Sequence, residues 1–304
     1  MARARAQGLH EQVLLITGAA SGIGEACAYE AAAQGARLVL VDCDAQPLAR
    51  VAHACGAQAM AVVADVTDAE AMQAVVDEAL ARWARLDVVF ANAGIASFGP
   101  LHLTDPEAWQ RCVTVNVFGV FNTVRPAVAA LAASGGHVLV NSSVSAFAHA
   151  PTMSAYAASK AAVEAMSDAW RLELAAHGVT VGQVFAAWVN TPLMQEGALH
   201  PSFTRLRLTM PAFMNRELSA PQAARRIVRA MVTRRRRVWL PAWVRVLFAL
   251  RSVLHLPMAE KALRQAAPEI EAHYRDGLAQ HGALANSVGP RECARSLQRE
   301  AAAP

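Results

Sequence analysis

Tyr156-Ala-Ala-Ser-Lys160 sets a phenol and an ammonium four residues apart, in a chain with three tyrosines and two lysines among 304 residues. On a helix that spacing stacks both side chains on one face. A free tyrosine ionises near pH ~10 and is a poor acid or base at neutrality. A neighbouring ammonium favours the phenolate, so Lys160 is expected to lower the Tyr156 pKa and make a proton-transfer pair. The alternative is a helix that carries the two by chance.

A second stretch suits a different ligand. Thr17-Gly18-Ala-Ala-Ser21-Gly22-Ile23-Gly24 follows a short apolar run and opens a helical pattern. Glycines there let the backbone turn tightly and approach a pyrophosphate at the positive end of the helix. The spacing is Gly-x-x-x-Gly-x-Gly. Asp42 closes the next apolar run, where a carboxylate can accept hydrogen bonds from ribose hydroxyls and repel a 2′-phosphate. Ser21 and Cys43 stand where a basic residue could have held that phosphate, so NAD is favoured and NADP is the lesser choice. The alternative for Asp42 is a cap on the following turn.

These residues need elements to hold them. Apolar runs at 13–17, 37–42, 58–64, 87–91, 136–141 and 179–185 read as buried strands. Between them, 23–34, 68–85 and about 154–177 read as helices, with Asp68 as an N-cap. Thr104-Asp-Pro-Glu107 has the capping-box pattern and starts another helix. Ser219-Ala-Pro-Gln222 caps one more, and a strand follows at Arg237–Leu240. The alternation predicts an α/β fold, a doubly wound parallel sheet with helices on both faces. Residues 1–240 read as one dinucleotide-binding and catalytic domain, and 241–304 as a helical C-terminal extension.

Composition narrows the classes. Hydrophobic residues make up 55%, enough for a sizeable core. Cys27, Cys43, Cys55, Cys112 and Cys293 are odd in number and lack metal-ligand spacing, which points to free thiols, a reducing compartment and no metal site. The basic N-terminus has no apolar stretch of a secretory signal. No uncharged run of ~18 apolar residues predicts a membrane span. The expected location is cytoplasmic. Nine arginines and no acid fall within 225–251, and without them 19 basic residues face 24 acidic ones. The basic character is therefore local, and with no reading module beside it nucleic acid is not an expected partner.

Taken in order, the motifs of residues 10–240 resemble the short-chain dehydrogenase/reductase family. The resemblance implies a Rossmann-like sheet of about seven strands. It implies that the turn with Thr17, Gly18, Ser21, Gly22, Ile23 and Gly24 holds the cofactor, that Asp65-Val66 meets its adenine ring, and that Asn92-Ala93-Gly94 steadies the sheet near it. Asn116 matches the family's structural and proton-relay asparagine, and Ser143 stands 13 residues before Tyr156, the family interval, with Ser142 and Ser145 fitting less well. The implied reaction is hydride transfer with NAD. Tyr156 exchanges the substrate proton, Ser143 orients the substrate oxygen, Lys160 lowers the Tyr156 pKa and binds the nicotinamide ribose, and Asn116 holds a relay water. Val189 and Thr191 would meet the carboxamide. The family's usual Pro-Gly is replaced by Ala186-Ala187, and Trp188 either walls the pocket or packs in the core.

Residues 193–218 occupy the family's substrate-loop position without a clear period. Leu193, Met194, Leu199, Phe203, Leu206, Leu208, Met210, Phe213 and Met214 read either as an apolar lid for a bulky alcohol or carbonyl compound or as a lid packed on its own core. From Pro241 to Leu256, Trp243, Val246, Leu247, Leu250, Val253 and Leu254 fall on one helical face. With the arginines, the stretch 234–256 suits peripheral membrane contact, or else covers the cleft or a subunit interface. The leading expectation is an NAD-dependent alcohol dehydrogenase or ketone reductase, a homodimer or homotetramer. A 3-oxoacyl-type reductase and an idle NAD(H)-binding sensor or scaffold are the alternatives.

Overall fold

The computed structural model describes residues 8–281 and the pair Ser287–Val288. Cys293, residues 1–7 and the rest of the extension's tail lie outside the described residues. Seven parallel strands form the central sheet: β1 (Val13–Thr17), β2 (Arg37–Asp42), β3 (Ala59–Val63), β4 (Val88–Ala91), β5 (His137–Ser143), β6 (Thr180–Ala186) and β7 (Arg237–Leu240). Their spatial order is β7-β6-β5-β4-β1-β2-β3. The order reverses direction at β1 and β4, where α/β sheets place a ligand crevice beyond the strand ends.

Strand residues alternate between two cores. Leu14, Ile16, Leu38 and Leu40 pack with Cys27, Ala28 and Ala31 of α1 (Gly22–Ala32), Leu48 and Val51 of α2 (Ala45–Cys55), and Ile227 and Val228 of α10 (Ala220–Val232). Val13, Leu15, Val39 and Val41 face the other way. They meet Met72, Val75 and Val76 of α3 (Ala69–Trp83) and Val163 of α7 (Ser154–Glu173). This period of two, with both faces covered, explains the near-continuous apolar runs.

Several expectations change. Helix α2 escaped notice because it buries only Leu48 and Val51. Asp68 caps α3 as expected, accepting from the Glu70 and Ala71 N–H groups. The cap of α4 (Pro106–Val113) is Asp105, one residue later than expected, and its carboxylate takes the Glu107 N–H. Thr104 instead donates its hydroxyl to the Pro100 carbonyl. The supposedly aperiodic 193–218 stretch contains α8 (Pro192–Gly197) and α9 (Pro201–Leu208). Within it Phe203 and Leu206 are buried, while Leu199, Leu208 and Phe213 are exposed.

After α4 the chain continues through a π-turn at Thr114–Phe118 into α5 (Gly119–Val124) and α6 (Val128–Ser134). The whole run Pro106–Ser134 is long and apolar enough by length and composition to cross a membrane. Arg111 and Arg125 interrupt it, so it contains no uncharged run of the expected length. Val120, Val124, Ala127 and Leu131 are buried against the sheet, as in a core helix. Phe118, Phe121 and Leu172 stand exposed on the outer faces of α5, its preceding turn and α7.

The single amphipathic helix expected over 241–256 is broken. Helix α11 spans only Val244–Ala249, followed by a 3-10 turn at Arg251–Val253. Val244, Leu247 and Phe248 turn inward onto Phe147 and Phe185, whereas Val246, Leu250 and Val253 are exposed. Part of the arginine cluster is engaged internally. Arg236 and Arg237 reach Asp168, and Arg251 pairs with Glu164 at 2.8 Å. The guanidinium groups of Arg237 and Arg251 also lie 4.5 and 4.6 Å from the Phe248 ring centre.

His137 sits fully buried at the start of β5, its Nδ1 2.9 Å from Thr180 Oγ1. Burial, helped by the charge of Arg234, pushes its pKa down to about 3. The unfolded chain therefore binds the extra proton first, and stability is lost as pH falls from the ordinary histidine value toward 3. Going from pH 7 to pH 5 is expected to cost about 2 kcal/mol through this residue. Urea titrations of wild type and His137→Gln at both pH values check it, and an equal pH dependence in the two proteins would contradict the assignment.

Candidate active site

The cleft opens beyond the strand ends and is lined by Gly18, Ser21, Gly22, Ile23, Asp42, Asp65, Val66, Asn92, Ala93, Gly94, Tyr156, Lys160 and Thr191, together with Cys43, Ile95, Arg111, Val115, Asn141, Pro192 and Leu193. Thus most of the sequence-predicted residues meet in one place. Thr17, Gly24, Asn116, Ser143 and Val189 stand behind this lining.

The turn from β1 to α1 is built by close approach. Gly18 and Gly22 have φ of 66° and 58°, the left-handed region that favours glycine. A Cβ at Gly24 would lie 2.0 Å from the Gly18 carbonyl oxygen, so the third glycine serves helix–turn packing. Thr17 is buried, and its hydroxyl accepts the N–H groups of Asn92 and Ala93 at 3.1 and 3.2 Å. It fastens the Asn92-Ala93-Gly94 turn rather than facing the cleft. Asn92 donates to the carbonyls of Thr17 and Gly18 and accepts from Asn141.

The acidic positions are held in place. Asp42 accepts the Ala20 N–H at 3.0 Å and the Asp44 N–H at 3.1 Å. Its expected capping role and its cleft-facing role therefore coexist. Asp65 takes the N–H and hydroxyl of Thr67 and the Arg111 guanidinium at 3.0 Å. Burial alone would raise its pKa, but these bonds outweigh it and hold the carboxyl below the usual range.

Asn116 is fully buried in the π-turn. Its Oδ1 accepts the Ile95 N–H at 2.9 Å, and its Nδ2 donates to the Ile95 carbonyl and to Ser159 Oγ. The side chain ties α4 to α7 and to the strand following Gly94. Both ends of the amide are engaged within the protein.

Ser143 ends β5. Its hydroxyl accepts the Ser145 N–H at 3.1 Å and donates to the Ala186 carbonyl at 3.3 Å. Tyr156 and Lys160 lie on the first turns of α7 as the spacing required, Lys160 buried and Tyr156 half-buried. Lys160 Nζ donates to the Asn141 carbonyl at 2.8 Å and sits 5.6 Å from the Tyr156 ring centre. The pKa shifts run opposite to the expected one. Burial pushes Tyr156 up to about 12, against the lowering effect of the nearby Ser143 hydroxyl. Burial also brings Lys160 down to about 8. Desolvation of both charged forms outweighs the mutual help expected from spacing alone.

Tyr156 also packs against an apolar cluster. Phe98, Met153, Trp188, Phe203 and Leu206 form one buried cluster, with Tyr156, Leu193 and Met194 packed against it. Trp188 stands edge-on to Phe203 at 5.6 Å and carries the Arg207 guanidinium over its ring. Of the two readings of Trp188, packing in the core is the one observed, since it is buried and is not among the residues that line the cleft. Thr191 caps α8 by accepting the Met194 N–H. Val189 is buried below the lining.

Residues 12–200 match the sequence model of the family described as short chain dehydrogenase. The chain belongs to the short-chain dehydrogenase family. This short-chain dehydrogenase is accordingly an NAD(P)-dependent oxidoreductase with a Rossmann-like sheet. It is 37% identical over 188 residues to a cis-4-hydroxycyclohexanecarboxylate dehydrogenase of Sinomonas cyclohexanicum, covering 60% of this chain and 76% of that one. Its fold is similar to a short-chain dehydrogenase/reductase from Burkholderia phymatum in complex with NAD, with TM-score 0.72, 26% identity, and 83% and 95% of the two chains covered. A 3-ketoacyl-(acyl-carrier-protein) reductase from Brucella melitensis complexed with NADH gives TM-score 0.69 at 30% identity, over 76% and 97%. Arg111 and Asn141 are the polar side chains among the cleft residues of this dehydrogenase that sequence reasoning missed, alongside the apolar Ile95, Val115 and Pro192. Asn141 carried a signal, a polar amide inside an apolar strand. Arg111 carried none, because its partner Asp65 is 46 residues away.

Proposed function

We propose that this short-chain dehydrogenase interconverts a hydrophobic secondary or primary alcohol and its carbonyl compound with NAD. The observation that carries the reading is the placement of Tyr156, with Lys160 Nζ 5.6 Å from its ring centre, between the glycine-turn cleft that it lines and the apolar cluster on which it packs.

The residues present fit a dinucleotide. Ser21 caps α1 without a side-chain hydrogen bond, so the first-turn amides remain suited to an anion. Asp42 presents a carboxylate to ribose hydroxyls. Asn141 Oδ1 is buried at the cleft without a protein hydrogen-bond partner, an acceptor suited to a bound donor. NAD, when bound, supplies the hydride acceptor or donor. Ser143 orients the substrate oxygen. Tyr156 gives its proton to the forming hydroxyl in reduction and takes it back in oxidation. Protonated at neutral pH, it favours reduction there, and oxidation gains as pH rises. Lys160 holds the ribose. The dehydrogenase named for a hydroxycyclohexane acid supports an alicyclic alcohol as substrate.

The test is NADH formation against a panel of hydrophobic secondary alcohols, with NADP in parallel. Turnover confined to an acetoacetyl thioester would move the assignment to the 3-oxoacyl reductase reading, which the NADH-bound ketoacyl reductase fold supports. Tight NADH binding with no turnover of either class would favour an idle sensor.

A further inference from the structure

Helix α12 (Pro257–His281) lies beyond the family match. It places Leu263, Ala266, Ile270 and Tyr274 along one stripe. Ala266, Ile270 and Tyr274 are 5%, 0% and 2% exposed. Ala266 and Ile270 belong to the same apolar cluster as Phe98 and Trp188, the cluster against which Tyr156 packs.

Polar contacts flank the stripe. Arg205 of α9 pairs with Glu269 at 2.6 Å, and Glu271 lies 3.5 Å from His102 on the loop before α4. Pairs this exposed contribute little, so the apolar stripe carries the seat and the pairs set its register. Tyr274 closes the end. A Cβ on Gly99 would come within 2.9 Å of its hydroxyl, so only glycine fits beneath it.

We infer that α12 is the substrate-selecting wall of the active site and that Ile270 sets how much apolar bulk lies beside Tyr156. This rests on the alcohol reading above and deepens it. Volume removed at Ile270 is added to a cluster contiguous with the tyrosine. The side chains of that cluster carry no charge. Arg207, the cation beside Trp188, is engaged by Glu217 at 2.8 Å and by the Asn215 carbonyl. The portion of substrate seated there is therefore uncharged and apolar, and the bulk it allows beside Tyr156 is set at Ile270.

The experiment compares full-length wild type, Ile270→Ala and Ile270→Trp by kcat/KM for cyclohexanol and 2-decalol. The decalol-to-cyclohexanol ratio is expected to rise about tenfold in the alanine variant and fall about tenfold in the tryptophan variant. Ratios within about twofold of wild type, with both rates falling together, would overturn the inference and leave α12 a structural brace. If the tryptophan variant does not fold, Ile270→Phe replaces it. If wild type oxidises neither alcohol, the alcohol reading fails by itself. Binding of cyclohexanone and 2-decalone to the enzyme–NADH complex, followed by NADH fluorescence, then gives the same ratio, and an unmoved ratio sinks the wall.

Discussion

Tyr156→Phe is expected to lower kcat for alcohol oxidation by about a thousandfold. The variant removes one oxygen and keeps the ring that packs against the apolar cluster. Ser143 retains the Ala186 carbonyl as a partner. Lys160 keeps its bond to the Asn141 carbonyl. The fold should survive, and a melting temperature close to wild type is the control. Loss should appear in kcat more than in NADH affinity, because the missing group acts on the substrate proton. The measurement is stopped-flow NADH formation at saturating alcohol. Equal turnover by the two proteins would remove Tyr156 from the mechanism. A comparable loss in both kcat and NADH binding would instead mean that the hydroxyl shapes the cleft.

The second large effect concerns the choice between the two nicotinamide cofactors. Asp42→Asn is expected to reduce the NAD-to-NADP preference, as a ratio of kcat/KM values, by about a hundredfold. A charged acceptor contributes more to a hydroxyl bond than a neutral one, and its charge also repels a 2′-phosphate. Asparagine keeps an oxygen for the Ala20 N–H that Asp42 now accepts, which limits damage to the glycine turn. Whatever damage remains affects both cofactors and cancels in the ratio. An unchanged ratio would show that Asp42 serves the turn alone.

The parts of the site that were legible in the sequence are those whose spacing is local or whose place is a strand end. Tyr156 and Lys160 are neighbours by helical geometry, and Asp42, Asn92 and Ser143 sit where apolar runs stop. Within that framework Thr17 looked like a cleft residue but turned inward, because its hydroxyl is the acceptor for two amides of a turn 75 and 76 residues away. The Tyr156 pKa was misjudged for a related reason. Spacing reveals a partner, but the depth of burial that overrides the partner is set by Phe98, Met153, Trp188 and other residues spread along the chain. Helix α11 was drawn too long since periodicity shows which residues share a face without showing where the chain must bend to bring Phe248 onto Phe185. The contact of α12 with Phe203 and Leu206 had no local signature.

That last contact orders events at the ribosome. Tyr156, Ser143 and Trp188 are synthesised well before Ile270 and Tyr274. A nascent chain that has released its sheet still presents Phe98, Phe203 and Leu206 to water until α12 emerges. The residues that cover this cluster are thus made after the residues they cover. During that interval the growing enzyme carries a temporary adhesive surface, a natural point of engagement for a chaperone and a point of vulnerability when translation stalls in α12.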